Sequence, residues 1–582
     1  MPVPARRIVP ETFIAAFVSA ASALMASGYL LDAVGLPIHS AVLGLASLGA
    51  AVTAFVAFRE GAAACPERAE ASRGAPVASR PIFACLLAVA LGYFLWLAGP
   101  SLLPVTIGPD IVHHLQLIHV IHRTHRLVHD PGLGPYLIEM MNYTPGSHLA
   151  AAAVAWWVRV DPLRVLLPLT ALFVAVKVGI VYVLALRVLQ DKPGAPVYAL
   201  AAPVLLLIPA PYVLGSFFEF FYYAQVVSET FAVAMVVAAL GWARTGSRRY
   251  LWLAAACGIG VVLSWPVWIL PAGAAVLTAI ILDRTPMRTR VLSAAIVIVP
   301  VALIGILHAS THAAGASIIG SSGAVTKPSA ETLGVVFVAL GFIGALLAFR
   351  IAALRPVAVL FAVTILQALA LAAFDARAGA RSFYMPFKMV YLIVLPCAVL
   401  GAVALATVTD AVASRLPPVR SLRFAGARSG RVAAAAIPVL IAAFLAAGRV
   451  PVKRQQSPIS ASALAAGLWA RDALPPGCID YFSRHWLTGY WLHLDVLGNP
   501  RESDRMRAET FDFPDSVGKW IRGKGLPYAI VEDLEAIPRD ARVDMIPVRE
   551  FGRSAVVKNT RPAPAPGSDP ESILCRGKEL SK

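Results

Sequence analysis

The chain has 582 residues, 58% of them apolar and 14% charged, with a mean hydropathy of +0.72. Soluble globular chains are about 45–50% apolar and about 25% charged, so a soluble enzyme is excluded, as are a disordered and a collagen-like chain. Lys+Arg number 50 against Asp+Glu 33, a net +17.

That excess needs a location before it means anything. Residues 1–448 hold 30 basic and 16 acidic residues, and residues 449–582 hold 20 and 17. The surplus therefore sits in short loops between apolar runs. This is the cytoplasmic-loop bias of a membrane protein, and no nucleic-acid partner is expected.

A helix needs about 20 apolar residues to span a bilayer. Runs of that kind lie near 12–31, 38–58, 81–103, 163–187, 195–214, 224–243, 250–264, 266–282, 291–308, 332–350, 356–374, 383–408 and 432–448, about thirteen spans. The pair at 250–282 is short and interrupted by Pro266 and Pro271, which suggests a tight or broken hairpin. The first run follows Arg6 and Arg7 and is long enough to be a retained anchor. With thirteen spans, the arginines and lysines of loops 59–80, 187–194, 244–249, 283–290 and 409–431 all fall on the cytoplasmic side. The N-terminus is then cytoplasmic and the C-terminus extracytoplasmic, in a bacterial inner (plasma) membrane. Residues 147–158 (HLAAAAVAWWV after Ser147) are too short to cross, and are expected to lie at the outer interface with Trp156 and Trp157 as anchors.

The polar mass then lies outside: loop 104–162, a Gly/Ser-rich flexible loop 309–331, and the C-terminal region. No Walker loop, GxGxxG or HExxH occurs, so ATP-driven pumping has no motif.

Loop 104–162 carries seven of the twelve histidines, from His113 to His148. Ile111, Leu115, Ile118, Leu127 and Val128 recur at helical spacing, which predicts an amphipathic helix along the outer membrane surface, ended by Pro131, Gly132, Gly134 and Pro135. His119, His122, His125 and His129 read as its polar face. As zinc ligands, His122, His125 and His129 share a face, but Asp130 alone adds a carboxylate at useful spacing; no metal residues are assigned. Asp110 stands at the mouth of a span, with His113 and His114 at +3 and +4. It serves either as a helix N-cap after Pro109 or as a general base at the water interface, and the three are the candidate catalytic residues of this loop. A rigid turn, YTPGSH (143–148), follows.

Further on, Glu219 lies among Phe217, Phe218, Phe220 and Phe221, either as one charge in an aromatic belt or as a second catalytic acid. Tyr222, Tyr223 and Gln225 offer hydrogen bonds to a sugar. Glu229 and Lys177 are charges inside spans, and Lys177 either pairs with Glu229 or lines a lipid groove. Arg377 and Arg381 precede a span, and Tyr384, Lys388 and Tyr391 share one face of it. A lysine at that depth needs a partner, and a lipid phosphate suits it, with arginine gripping phosphate bidentately. Snorkelling to headgroups accounts for Arg377 equally well.

The polar region 449–560 alternates β-like runs (YAIVED, VDMIPVREF, SAVVKN) with helical ones (ISASALAAGLWARDAL, DSVGKWIRGK), which predicts a small α/β or α+β extracytoplasmic domain; 561–582 reads as a disordered tail. Tyr481, Trp486, Tyr490 and Trp491 form either its core or a platform for sugar faces. Cys478 and Cys575 are free to pair if this region is outside the cytoplasm.

An acid at the start of the first large outer loop, an interfacial helix, the Tyr-x-Pro-Gly-x-His turn and a polar C-terminal domain after about thirteen spans together resemble the GT-C superfamily of integral-membrane glycosyltransferases. Protein O-mannosyltransferases, oligosaccharyltransferase catalytic subunits, lipid A aminoarabinose transferases and mycobacterial arabinofuranosyltransferases belong to it. The resemblance is architectural over residues 1–448 and motif-level only at 110–148, 219–229 and 375–391. It implies that Asp110 is the base or orients the acceptor, that Glu219 assists acceptor or metal binding, and that Tyr143 and His148 of the turn line the substrate site. It implies a polyprenyl-phosphate-linked sugar donor, membrane lipids as surroundings, and a glycan, lipid or protein acceptor of the cell envelope. Many relatives carry two adjacent acids where this chain has Asp110 followed by two histidines, so a divalent cation is allowed and not required. Relatives have Tyr-Pro-Pro-Gly where this chain has Thr144.

The expected function is transfer of one sugar from that donor to the acceptor at the outer side. A transporter or flippase of lipid-linked sugars is the alternative, with Lys177, Glu229 and Lys388 as a polar path; a non-catalytic scaffold is a third. Inverted repeats, usual in transporters, are not evident in the sequence.

Overall fold

Inside a bilayer every backbone N–H and C=O must find a partner within the segment, so long apolar runs fold as helices. The computed structural model of the chain describes residues 10–60, 79–105, 108, 110–311, 323–379, 383–415, 426–451, 453–475, 478–483, 485–499, 513–523 and 525–561. Its longer helices, in order, are α1 Pro10–Ala33, α2 Ser40–Glu60, α3 Ser79–Ala98, α4 Asp110–Thr124, α5 Gly146–Val158, α6 Pro162–Leu189, α7 Ala195–Leu205, α8 Tyr223–Thr245, α9 Arg248–Ser264, α10 Ile269–Leu282, α11 Met287–Thr311, α12 Val335–Leu347, α13 Arg355–Arg377, α14 Tyr384–Arg415 and α15 Gly426–Ala446.

Among the described residues, eight helices are long and apolar enough to cross a membrane: α1, α2, α3, α6, α8, α11, α13 and α14. The chain is thus an integral membrane protein. After α7 the chain bends by 81° into residues 210–218, which makes a ninth if the bent pair is one span. The sequence suggested thirteen. The other four runs form α9, α10, α12 and α15, whose apolar parts are shorter. Pro266 separates α9 from α10, and α12 starts only after Gly334, whose φ of +81° breaks the helical path.

The chain divides into two compact units. The first, a helical bundle, comprises residues 1–97, 142–159 and 168–454. Within it α5 is a correction to the sequence reading. It does not lie at an interface: Gly146–Ala153 and Ala155 are all buried, and it packs against α1, α2, α8 and α9. An alanine run has no polar face to offer water, so it fills the bundle instead. Only its end is exposed, where the Trp157 indole donates to Ser40 O (2.9 Å). The glycine of the YTPG turn has a steric cause, since a Cβ on Gly146 would stand 2.2 Å from Leu263 O.

The second, polar unit comprises residues 98–141, 160–167 and 455–582. Its tail supplies α16 Ala461–Ala473, β1 Ile479–Phe482, α17 Trp486–Trp491, α18 Phe513–Ile521, β2 Tyr528–Val531, β3 Met545–Phe551 and β4 Ser554–Asn559. The strands form one sheet in the order β1-β2-β4-β3. β1 runs parallel to β2, and β4 is antiparallel to both β2 and β3. The three runs read as β-like are strands, and β1 is an additional one. Phe482, Trp520, Val531, Met545 and Val557 form the core on one side of the sheet. The Trp520 indole donates to the buried Asp480 carboxylate (2.6 Å), which satisfies both polar groups.

Candidate functional site

Two groups of predicted site residues can be built from the structure, one in each unit.

In the polar unit, Asp110 is the first residue of α4 and is half-buried. His113, one turn on, is clamped. Its Nδ1 pairs with the Glu139 carboxylate, and its Nε2 lies 2.7 Å from the Tyr490 hydroxyl. A carboxylate only accepts, so in the neutral ring Nδ1 carries the proton and Nε2 accepts from Tyr490. His114 is buried in the side of α4.

The sequence reading of α4 as a surface helix with a histidine face is corrected here. Ten of its residues, from Ile111 to Ile121, are buried. The segment Leu492–Val496 of the tail packs on it, and Tyr136 packs beside it, where Gln116 Nε2 donates to Tyr136 O (2.8 Å) and the Tyr136 hydroxyl donates to Leu494 O (3.1 Å).

His119, expected in solvent, is 3% exposed and sits between two acids: Nε2 is 3.3 Å from Asp161 Oδ1 and Nδ1 is 2.8 Å from Asp495 Oδ1. The Asp495 contact is off-line for a hydrogen bond, so the two meet as an ion pair. Burial alone would lower the His119 pKa. The charges of Asp495 and Asp161 and the hydrogen bond to Asp161 outweigh it and lift it to about 9. Asp161 responds oppositely: burial would raise it, but the bond and charge of His119, the Leu163 N–H and the Arg471 guanidinium (3.5 Å) hold it well below the usual carboxylate range. Asp495 is raised, chiefly by its complete burial.

Glu139, Asp161, Arg471 and Asp495 were not anticipated as partners. Asp495 had a signal, a lone acid in the apolar run LHLDV. Asp130, considered as a metal ligand, instead caps a turn, accepting from Gly132 N (2.8 Å). His122 is half-buried and His129 exposed. Among the described residues no three His, Cys, Asp or Glu side chains are grouped to hold a metal ion, so no step below is drawn through one. Cys478, at the edge of β1, is disulfide-bonded; Cys575, its expected partner, lies outside the described residues.

In the bundle, Lys388 on the first turns of α14 is 4% exposed and enclosed by rings. Its Nζ is 2.8 Å from the centroid of Tyr222, 4.9 Å from Tyr384 and 5.9 Å from Trp265. Phe220 stacks beside Tyr222 (5.1 Å, 6°) and Tyr391 meets it edge-on (5.3 Å). The segment 323–327, the end of the Gly/Ser-rich loop, is tied over these rings. Tyr222 donates to Ala324 O, Tyr391 to Thr326 Oγ1 (3.0 Å) and Tyr212 to Thr326 O (3.4 Å). The first part of that loop, 312–322, lies outside the described residues, and so does Arg381. Arg377 is exposed at the end of α13.

Also in the bundle, Lys177 and Glu229 form a buried ion pair, one of the two readings the sequence left open. Gln225, one turn before Glu229, is buried, and so is Trp265 beside Lys388. Glu219 is exposed among phenylalanines, with its carboxyl raised by partial burial. Tyr223 and His148 are fully buried and stack edge-on (5.8 Å); Tyr223 donates to Ser147 O (2.7 Å), and burial pushes His148 down to about 3. Both hold α5 in place. Tyr143 is half-buried, 5.6 Å from Trp265 between ring centroids.

No protein-family model and no characterised protein matches the chain by sequence. Among solved structures the chain is similar to ArnT from Cupriavidus metallidurans bound to undecaprenyl phosphate (14% identity over 85% of this chain and 100% of that one, TM-score 0.46). It is also similar to the oligosaccharyltransferase AglB from Archaeoglobus fulgidus in complex with an inhibitory peptide and a dolichol-phosphate (16%, covering 79% and 70%, TM-score 0.48). A third is the arabinofuranosyltransferase AftD from Mycobacteria (16%, covering 86% of this chain and 43% of that one, TM-score 0.45).

Proposed function

We propose that the chain is a membrane glycosyltransferase that moves a sugar from a polyprenyl-phosphate donor to a cell-envelope acceptor, at the outer side of a bacterial inner membrane. One observation carries the reading: Asp110 opens a helix whose next turn bears an imidazole fixed between a carboxylate and a phenol. Such a set takes a proton from a hydroxyl and keeps its own geometry while doing so. Asp110 accepts the acceptor's hydroxyl proton, the oxygen attacks the anomeric carbon, and the bond to the lipid phosphate breaks with its electrons leaving on phosphate. His113, held by Glu139 and Tyr490, supports Asp110, and His114 shapes the same turn of helix.

The donor phosphate falls to Lys388, with Tyr384 beside it and Arg377 and Arg381 as further cations. Tyr222, Gln225, Tyr143 and Glu219 are the polar groups on hand for the sugar, while Tyr223 and His148 support them from beneath. A caged lysine is desolvated, so an anion entering the cage meets a strong field. The disulfide at Cys478 supports an extracytoplasmic polar unit, because disulfides persist in oxidising compartments.

Membranes carrying the chain, given labelled polyprenyl-phosphate sugars, should transfer label to envelope material. Asp110→Asn should lower transfer at least a hundredfold while the lipid donor still binds, and Lys388→Met should weaken donor binding. If label crosses the membrane without transfer, and Lys177→Met stops that movement while Asp110→Asn does not, the chain is a transporter.

A further inference from the structure

Among the large side chains of the polar unit, Tyr481, Trp491 and Trp520 are each under 2% exposed. Trp486, at the start of α17, is 47% exposed. It is nonetheless fixed. The His485 ring stacks on it (centroids 6.1 Å, 25°), and that ring is itself pinned because His485 Nδ1 accepts from Leu487 N (3.2 Å). From the same helix face, Tyr490 meets the indole edge-on at 5.8 Å. An indole braced on two sides is a rigid plate that loses little entropy when covered.

What adjoins the plate is polar. The Tyr490 hydroxyl reaches His113 (2.7 Å), whose other nitrogen pairs with Glu139, a side chain 48% exposed. A strip thus runs from an apolar plate to an anionic hydrogen-bond acceptor, on to the turn of α4 that begins with Asp110. Few ligands match both ends. A lipid surface covers tryptophan well but disfavours a neighbouring carboxylate. A peptide side chain covers the plate without supplying hydroxyls at its rim. A sugar ring presents C–H groups on one face and hydroxyl donors around its edge.

We propose that this strip is a carbohydrate subsite, with Trp486 as its floor and the Glu139 carboxylate, held by His113, as its hydroxyl-binding edge, so that the acceptor is a glycan. The assignment deepens the glycosyl-transfer reading above and rests on it for the direction of transfer. Glu139 and Tyr490 act on the reaction as positioning residues, through His113.

The test uses the full chain in nanodiscs and saturation-transfer NMR with three neutral trisaccharides, of glucose, mannose and arabinofuranose, as probes. At least one should give ring-proton saturation. Trp486→Ala should weaken its binding about fivefold to tenfold, the scale of one aromatic contact, while Trp486→Phe retains most of it. Glu139→Gln should weaken binding severalfold with ring-proton saturation still centred on the same face. The proposal is overturned if no probe binds the wild type, if Trp486→Ala binds the probe unchanged, or if brominated lipid quenches an emission component that Trp486→Phe removes, which would place the indole in the bilayer. Loss of sugar transfer with trisaccharide binding intact refutes the transferase reading alone; transfer without trisaccharide binding refutes the subsite alone.

Discussion

The two units bury cations in opposite ways. In the polar unit one imidazolium, His119, stands between two carboxylates, Asp161 and Asp495, with Arg471 behind Asp161. In the bundle Lys177 has one carboxylate, Glu229, and Lys388 is surrounded by aromatic faces. The difference follows from the solvent each unit meets. A polar domain can place two acids on one buried imidazolium because a further cation, Arg471, balances the second at a partly exposed rim. A helix bundle in hydrocarbon must neutralise each charge one to one, or spread it over ring quadrupoles.

The largest effect that would break this contrast belongs to the bundle pair. Removing one partner of a buried ion pair leaves an uncompensated charge, at a cost of about 3–5 kcal/mol, whereas replacing both with apolar groups is often neutral. Lys177→Met should therefore lower the thermal unfolding midpoint in detergent far more than Lys177→Met combined with Glu229→Leu. If the double variant is no better than the single, the pair is not the one-to-one neutralisation described here.

In the polar unit the corresponding probe is pH. The folded pKa of His119, about 9, lies above its ordinary 6.5. Its contribution is thus fully present below about 6.5 and is lost as pH rises through about 9. Asp161 is depressed, so its share is present above its ordinary value of 3.8 and is lost as pH falls below it. Asp495 is raised, so it opposes part of the gain above its ordinary value of 3.8. Protease resistance of α4 should therefore hold between about pH 5 and 6.5 and fall progressively toward pH 9.5, by about 2–3 kcal/mol in opening free energy. The other charged groups nearby are His122, lowered chiefly by burial, Arg123 and Arg471. With His119→Gln the alkaline loss should disappear and resistance should be lower throughout; a profile unchanged by that substitution would refute the clamp.

These clamps mark where the sequence stopped being readable. The apolar runs, the tail strands and the Lys177–Glu229 pairing follow from periodicity and from the cost of unpaired charge, both local or nearly so. The burial of α4 does not. Its covering segment lies far along the chain, as the separation of 377 residues between His113 and Tyr490 shows. A histidine spaced every few residues looks the same whether its face meets water or a distant carboxylate. The alanine run of α5 misled for a related reason: two tryptophans at its end suggest an interface, but the packing of the rest is set by close approach, as at Gly146. Asp110 was singled out by position, and the groups that steady its neighbour His113, Glu139 and Tyr490, come from two other stretches of the chain.

The finest distinction concerns the lysine cage, where charge and hydrogen bonding can be separated at one ring. Tyr222 faces Lys388 with its π surface and gives its hydroxyl to Ala324 O. Tyr222→Leu removes both and should cost about 2 kcal/mol or more, since a desolvated cation–π contact is worth about that much. Tyr222→Phe keeps the face and loses only the hydroxyl, at about 1 kcal/mol. It should loosen the segment 323–327, read as faster hydrogen exchange there, while the unfolding midpoint barely moves. If the two substitutions destabilise equally, the ring's face contributes nothing to holding the lysine.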